Sequence, residues 1–139
     1  MRLMNPKNGR FDLGLLLLRV GIGIMFMLHG WPKIVGGEST WIWLGGQMKY
    51  LGISSWPMLW GLGAAVAEFA GGILLALGLL FRPSAIILAL TMLVAALYHL
   101  NTDEHFMDGS HSIELLIVFV ALTFTGPGRY SLDSLLFKK

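Results

Sequence analysis

The chain has 139 residues, 55% of them hydrophobic and 13% charged, with a mean hydropathy of +0.71. A soluble domain carries roughly 25% charged residues, so the composition excludes an ordinary water-soluble fold and reads as one integral membrane domain over residues 1–139. The net charge of +2 is small and its basic residues form no stripe, which excludes a nucleic-acid surface. With no cysteine, thiolate catalysis, disulfide exchange, iron–sulfur ligation and cysteine-type zinc sites are excluded for this chain alone.

Residues 1–12 are polar and basic, with Arg2, Lys7 and Arg10. The apolar run 13–28, broken by Arg19, predicts helix one over 13–34. A basic start before an apolar run is also the outline of a signal peptide, but no small-x-small cleavage site follows. Residues 35–55 are too polar to span. Trp41, Trp43, Leu44, Met48 and Leu51 give them an apolar side, and Trp concentrates where lipid meets water. A short interfacial helix and a packed loop are the two readings of this segment.

Helix two is expected over 56–81, since about 20 apolar residues cross a bilayer. Glu68 sits near its middle. A carboxylate at that depth costs about 2.5–3.5 kcal/mol on insertion scales, so it should face protein or water. Gly63, Ala67 and Gly71 repeat every four positions, as do Gly72 and Ala76, a spacing that admits a neighbouring helix. Arg82-Pro83 forms a short turn, and proline suits the first turn of helix three, 83–100. An acidic, histidine-bearing loop leads to helix four, 111–125. That helix is short for a span, so it either starts inside the loop or sits in thinned bilayer. Gly126-Pro127-Gly128 stops it before a tail carrying Arg129, Lys138 and Lys139. The fold class is therefore all-α, a membrane-embedded four-helix bundle in a cell membrane. Arg2, Lys7, Arg10, Arg82, Arg129, Lys138 and Lys139 on one side outnumber Lys33 and Lys49 on the other, which places both termini in the cytoplasm.

Ionisable residues inside apolar segments are the candidates for chemistry. Counted from the cytoplasmic helix ends, Arg19 lies about 10 Å deep, Glu114 about 17 Å and Glu68 about 20 Å. An arginine reaching along its helix could pair with either acid. Arg19, Glu68 and Glu114 are thus an expected intramembrane polar pocket, serving either as structural glue or as a site for a proton-carrying head group such as a quinone. His29, His99 and His111 form an expected outer-face set. Interfacial histidines are commoner as hydrogen-bonding groups than as ligands, so no metal site is assigned.

The run LLLRVGIGIMFMLHGWPKI, the segment AAVAEFAGGILLALGLLFRPSA and the ending TGPGRYSLDSLL together resemble the DoxX family of small membrane proteins. The matching positions are Arg19, His29, Gly30, Lys33, Glu68, Gly71, Gly72, Arg82, Gly126, Pro127, Gly128, Arg129, Ser131 and Asp133. The resemblance implies a four-helix bundle and an oxidoreductase subunit with a quinone and a redox partner, in the bilayer and open to oligomerisation. The alternative is a non-catalytic scaffold or small-solute permeation protein. In the terminal motif, Arg129 and Asp133 are expected to pair with each other, or to meet Arg82 and lipid head groups.

Overall fold

Apolar runs that cannot satisfy their backbone groups in lipid must do so within themselves, and this chain does it with helices. The computed structural model describes residues 9–102 and 105–137. In chain order these form α1 (Gly9–Val35), α2 (Glu38–Gly45), a 3-10 helix (Gly46–Leu51), α3 (Pro57–Leu77), α4 (Phe81–Asn101), α5 (Phe106–Thr125) and α6 (Leu132–Leu136). Among the described residues there is no strand, and α1, α3, α4 and α5 are long and apolar enough to cross a membrane. Arg2, Lys7, Lys138 and Lys139, and two acidic positions of the α4–α5 loop, Asp103 and Glu104, lie outside the described residues.

The boundaries follow local chemistry. α1 runs on through Pro32 to Val35, one residue beyond expectation. α3 stops at Leu77, four residues early, because Gly78 (φ +66°) and Leu80 (φ +46°) both turn left-handed. α5 starts inside the loop at Phe106, and its 20 residues give about 30 Å of helix. The segment between α1 and α3 is helical, as one of the two readings had it.

Small residues set the packing. Gly23 of α1 lies against Gly72 and Ala76 of α3, and Gly30 against the backbone of Phe69. These contacts run in opposite directions along the two helices, so α1 and α3 are antiparallel and nearly backbone to backbone. Gly45 of α2 meets Pro57, and Gly61 of α3 meets Trp41, which seats α2 on the first turns of α3. The core fills with Leu75, Phe81, Leu88, Phe119 and Leu122. Phe26 and Phe119, edge to face at 5.0 Å, join α1 to α5.

At the opposite end the terminal segment ties the bundle. The Arg129 N–H donates to Asp12 at 2.9 Å, which brings the start of α1 beside the chain's last turn. Asp133 accepts from the N–H groups of Leu80 and Phe81, both at 2.9 Å, and so caps α4, which lacks a side-chain cap of its own. A left-handed leucine costs roughly 1–2 kcal/mol; a carboxylate on a helix N-terminus recovers a comparable amount. Asp133 therefore serves as this cap, and no ion pair links it to Arg129 or Arg82, because its two oxygens are directed at backbone donors.

The glycine contacts yield a paired prediction. Gly30→Ala should destabilise the detergent-solubilised protein by about 1–3 kcal/mol, since the new methyl meets Phe69 backbone. Gly21→Ala, with nothing within 4 Å of its Cβ position, should be neutral or stabilising by up to about 1 kcal/mol. Thermal unfolding of the two variants checks this, and equal losses would contradict the packing.

Candidate functional site: a cavity beside a buried ion pair

The antiparallel register of α1 and α3 brings the end of one helix to the middle of the other. Lys33, near the end of α1, thereby reaches Glu68. Its Nζ donates to both carboxylate oxygens, at 2.7 Å and 2.6 Å. Glu68 is 2% exposed, while the lysine side chain keeps 34% of its surface. The Lys33 carbonyl accepts from Trp41 Nε1 at 3.0 Å, which fixes α2 over the pair.

Beside this pair lies a cavity of about 590 Å³ with largely apolar walls. α3 and α4 form its sides, and α2 with the 3-10 helix forms its roof. Lys33 and Glu68 stand on one wall. Tyr98 is braced by the rings of Trp43 and His99, at 5.7 Å and 5.1 Å. Gln47 in the roof is 9% exposed; its Nε2 donates to the Trp43 carbonyl at 3.0 Å, and its Oε1 has no partner among the described residues. Such a chamber suits a mostly apolar molecule with a few polar atoms. Lys33 offers a cationic donor and Glu68 a carboxylate acceptor.

The expected polar pocket is redistributed. Arg19 is buried at the other end, where its Nη2 donates to the Tyr130 carbonyl and its guanidinium packs against Gly78 and Ser131. Lys33 lies about 21 Å further along the same continuous helix. Arg19 and Glu68 therefore do not meet. Depth counted from helix ends overlooked that the Gly78 turn opens a recess at Arg19's own level, and that the antiparallel register of α1 and α3 brings Lys33 level with the acid. Glu114 meets neither: it is exposed near the middle of α5, with no hydrogen bond or ion pair among the described residues.

His29, His99 and His111 come from three helices and all line the cavity. His29 and His111 are exposed, and His29 lies edge-on to Phe26 at 6.5 Å. No group of three or more histidine or acidic side chains is placed to hold a metal ion among the described residues. Lys33, Gln47 and Tyr98 were absent from the sequence-derived site. One signal for Lys33 was available: it follows His29 by four residues, so the two share a face of α1.

The chain matches the family model "DoxX" over residues 14–100, a range containing both Lys33 and Glu68. It is 35% identical over 137 residues to "Inner membrane protein YqjF" of Escherichia coli K12, covering 92% of this chain and 95% of that one. It is 33% identical over 132 residues to "Putative oxidoreductase CatD" of Bacillus subtilis 168, covering 94% and 92%. With "Inner membrane protein YphA" of Escherichia coli K12 it shares 30% identity over 137 residues, covering 88% and 94%. No solved structure matches it.

The redistribution is testable by double-mutant cycles. Lys33→Met should cost about 3–5 kcal/mol of stability, because it strands the buried Glu68, and Glu68→Gln less, about 1–2 kcal/mol, because Lys33 keeps about a third of its surface. Together they should cost less than their sum, with a coupling of about 1–3 kcal/mol. Arg19→Met and Glu68→Gln should add within about 0.5 kcal/mol. A larger coupling of Glu68 to Arg19 than to Lys33 would contradict the geometry.

Proposed function

The chain belongs to the DoxX family, and from that premise we propose that this multi-pass membrane protein is the membrane subunit of an oxidoreductase system that holds a quinone head group beside Lys33 and Glu68. The observation that carries this reading is an ion pair exposed on one side to an apolar cavity inside a membrane-spanning bundle. Carboxylates rarely sit at such depth without a functional role. Reduction of a quinone to the quinol takes two electrons and two protons. In this reading the electrons come from a partner subunit. The Lys33 ammonium hydrogen-bonds the head-group oxygen where negative charge develops. Glu68, ionised in the pair, accepts one of the two protons when the quinol is oxidised and returns that proton in the reverse direction, the second proton being exchanged with water.

Two further observations support a subunit. The relative CatD carries an oxidoreductase name. Glu114 faces outward from the middle of a spanning helix, where lipid contact costs about 2.5–3.5 kcal/mol, and a partner protein would relieve that cost. In this reading both termini face the cytoplasm, as the lysine and arginine distribution supports.

A second reading, the non-catalytic scaffold or permeation protein, is favoured by one observation. Lys33 and Glu68 already neutralise each other at 2.6–2.7 Å, as a purely structural tie would.

Titration of the purified protein with a quinone analogue separates them. The redox reading expects saturable binding, weakened about tenfold or more in folded Glu68→Gln, a loss of about 1.4 kcal/mol or more. Equally negligible binding by both proteins would remove the quinone site, and solute flux through reconstituted protein would favour permeation.

A further inference from the structure

Gly63, Ala67 and Gly71 form one stripe in sequence, but they do different things. Gly71 faces the Leu88 side chain, at 3.2 Å from where a Cβ would stand, and there α3 and α4 close on each other. Two turns away, Gly63 is exposed and has nothing within 4 Å of its Cβ position, and it lines the cavity. On α4, which runs antiparallel, Ile87 and Leu90 stand nearer the level of Ala67 and Gly71; they too line the cavity and are 48% and 56% exposed. Cavity-lining residues that stay about half exposed mark an open side between α3 and α4. Leu90 stands about midway along α4, so this opening reaches hydrocarbon depth.

An opening at that depth admits no bare polar solute, because hydrocarbon cannot solvate it. It admits molecules already dissolved in the bilayer. Inside, the walls offer Lys33 with Glu68 and, in the roof, the unpartnered acceptor Oε1 of the buried Gln47. Cavities of roughly 300–1,000 Å³ hold a drug-sized ligand, so about 590 Å³ takes a ring-sized head and a few carbons of chain. A longer chain has to leave by the gap.

We propose that the gap between α3 and α4 at Gly63 is a lateral portal, and that the ligand is a bilayer-dissolved amphiphile whose head sits beside Lys33–Glu68 while its apolar chain passes over Gly63 into the lipid. This rests on the site proposed above and adds the route of entry and the need for a chain. The stripe thus divides into a packing half at Gly71 and a passage half at Gly63 and Ala67.

The test uses full-length protein in nanodiscs and two probes with one quinone head, one bearing a decyl chain and one bearing none. Affinities are expressed per mole of lipid, so that partitioning of the chain cancels. Gly63→Phe fills the gap without touching the ion pair; Gly21→Phe adds the same ring on an exposed face of α1 away from the cavity. The portal predicts that Gly63→Phe weakens the decyl probe about tenfold or more and changes the chainless probe less than about twofold, with Gly21→Phe altering neither. Equal effects on both probes, or none on either, would overturn the portal while leaving the head-group site standing. If the wild type binds neither probe, the site and the portal fall together. Native mass spectrometry adds one further outcome: a phospholipid that the decyl probe cannot displace would assign the gap to structural lipid and overturn the proposal.

Discussion

Hydrocarbon gives a carboxylate nothing to bond to, and the bundle is arranged around meeting that need at Glu68. The acid is 2% exposed and its counter-charge is Lys33, held by two short hydrogen bonds. The pairing depends on register. α1 and α3 can align Lys33 with Glu68 only if they run antiparallel at close range, and Gly23 and Gly30 on one helix with Gly72 and Ala76 on the other permit that approach. A bulkier side chain at these glycines would separate the helices and strand both charges. The packing and the electrostatics are thus one constraint, seen first as small residues and then as an ion pair.

The molecule keeps a second polar centre at its other end, with a different task. Arg19 fills the recess at Gly78 and holds the Tyr130 carbonyl, while Asp133 caps α4 across the chain and Asp12 holds Arg129. These contacts are directed at backbone groups, so they fix where helices begin and end. The centre at Lys33–Glu68 instead opens onto a cavity. The arginine end thus fixes helix boundaries, while the lysine end borders a cavity.

The spans were legible because each is about 20 apolar residues bounded by charge, glycine or proline, and bilayer thickness sets that length. The inward turn of Glu68 was legible for the same reason, since lipid excludes it. Its partner was not. Lys33 was counted only as a charge of the outer side, and the depths were compared for Arg19, Glu68 and Glu114 alone. The cap at Asp133 joins positions more than fifty residues apart, and no local pattern announces such a contact. The cavity was hidden by a different route. Gly63 and Gly71 look alike as members of one stripe, yet only three-dimensional packing shows that one meets Leu88 and the other meets open space. The DoxX resemblance, confirmed by the family match, fixed the kind of molecule more firmly than the identity of its site.

The claim on which everything else turns is that Lys33, rather than Arg19, neutralises Glu68 inside the bundle. Solid-state NMR on the protein in bilayers, with the lysine side-chain nitrogen and the glutamate carboxyl carbon isotopically labelled, measures that contact directly. The account predicts strong dipolar dephasing between the two labels, lost in Glu68→Gln. Absence of that dephasing in the wild type, with the Glu68 carboxyl coupled instead to arginine guanidinium nitrogen, would contradict it.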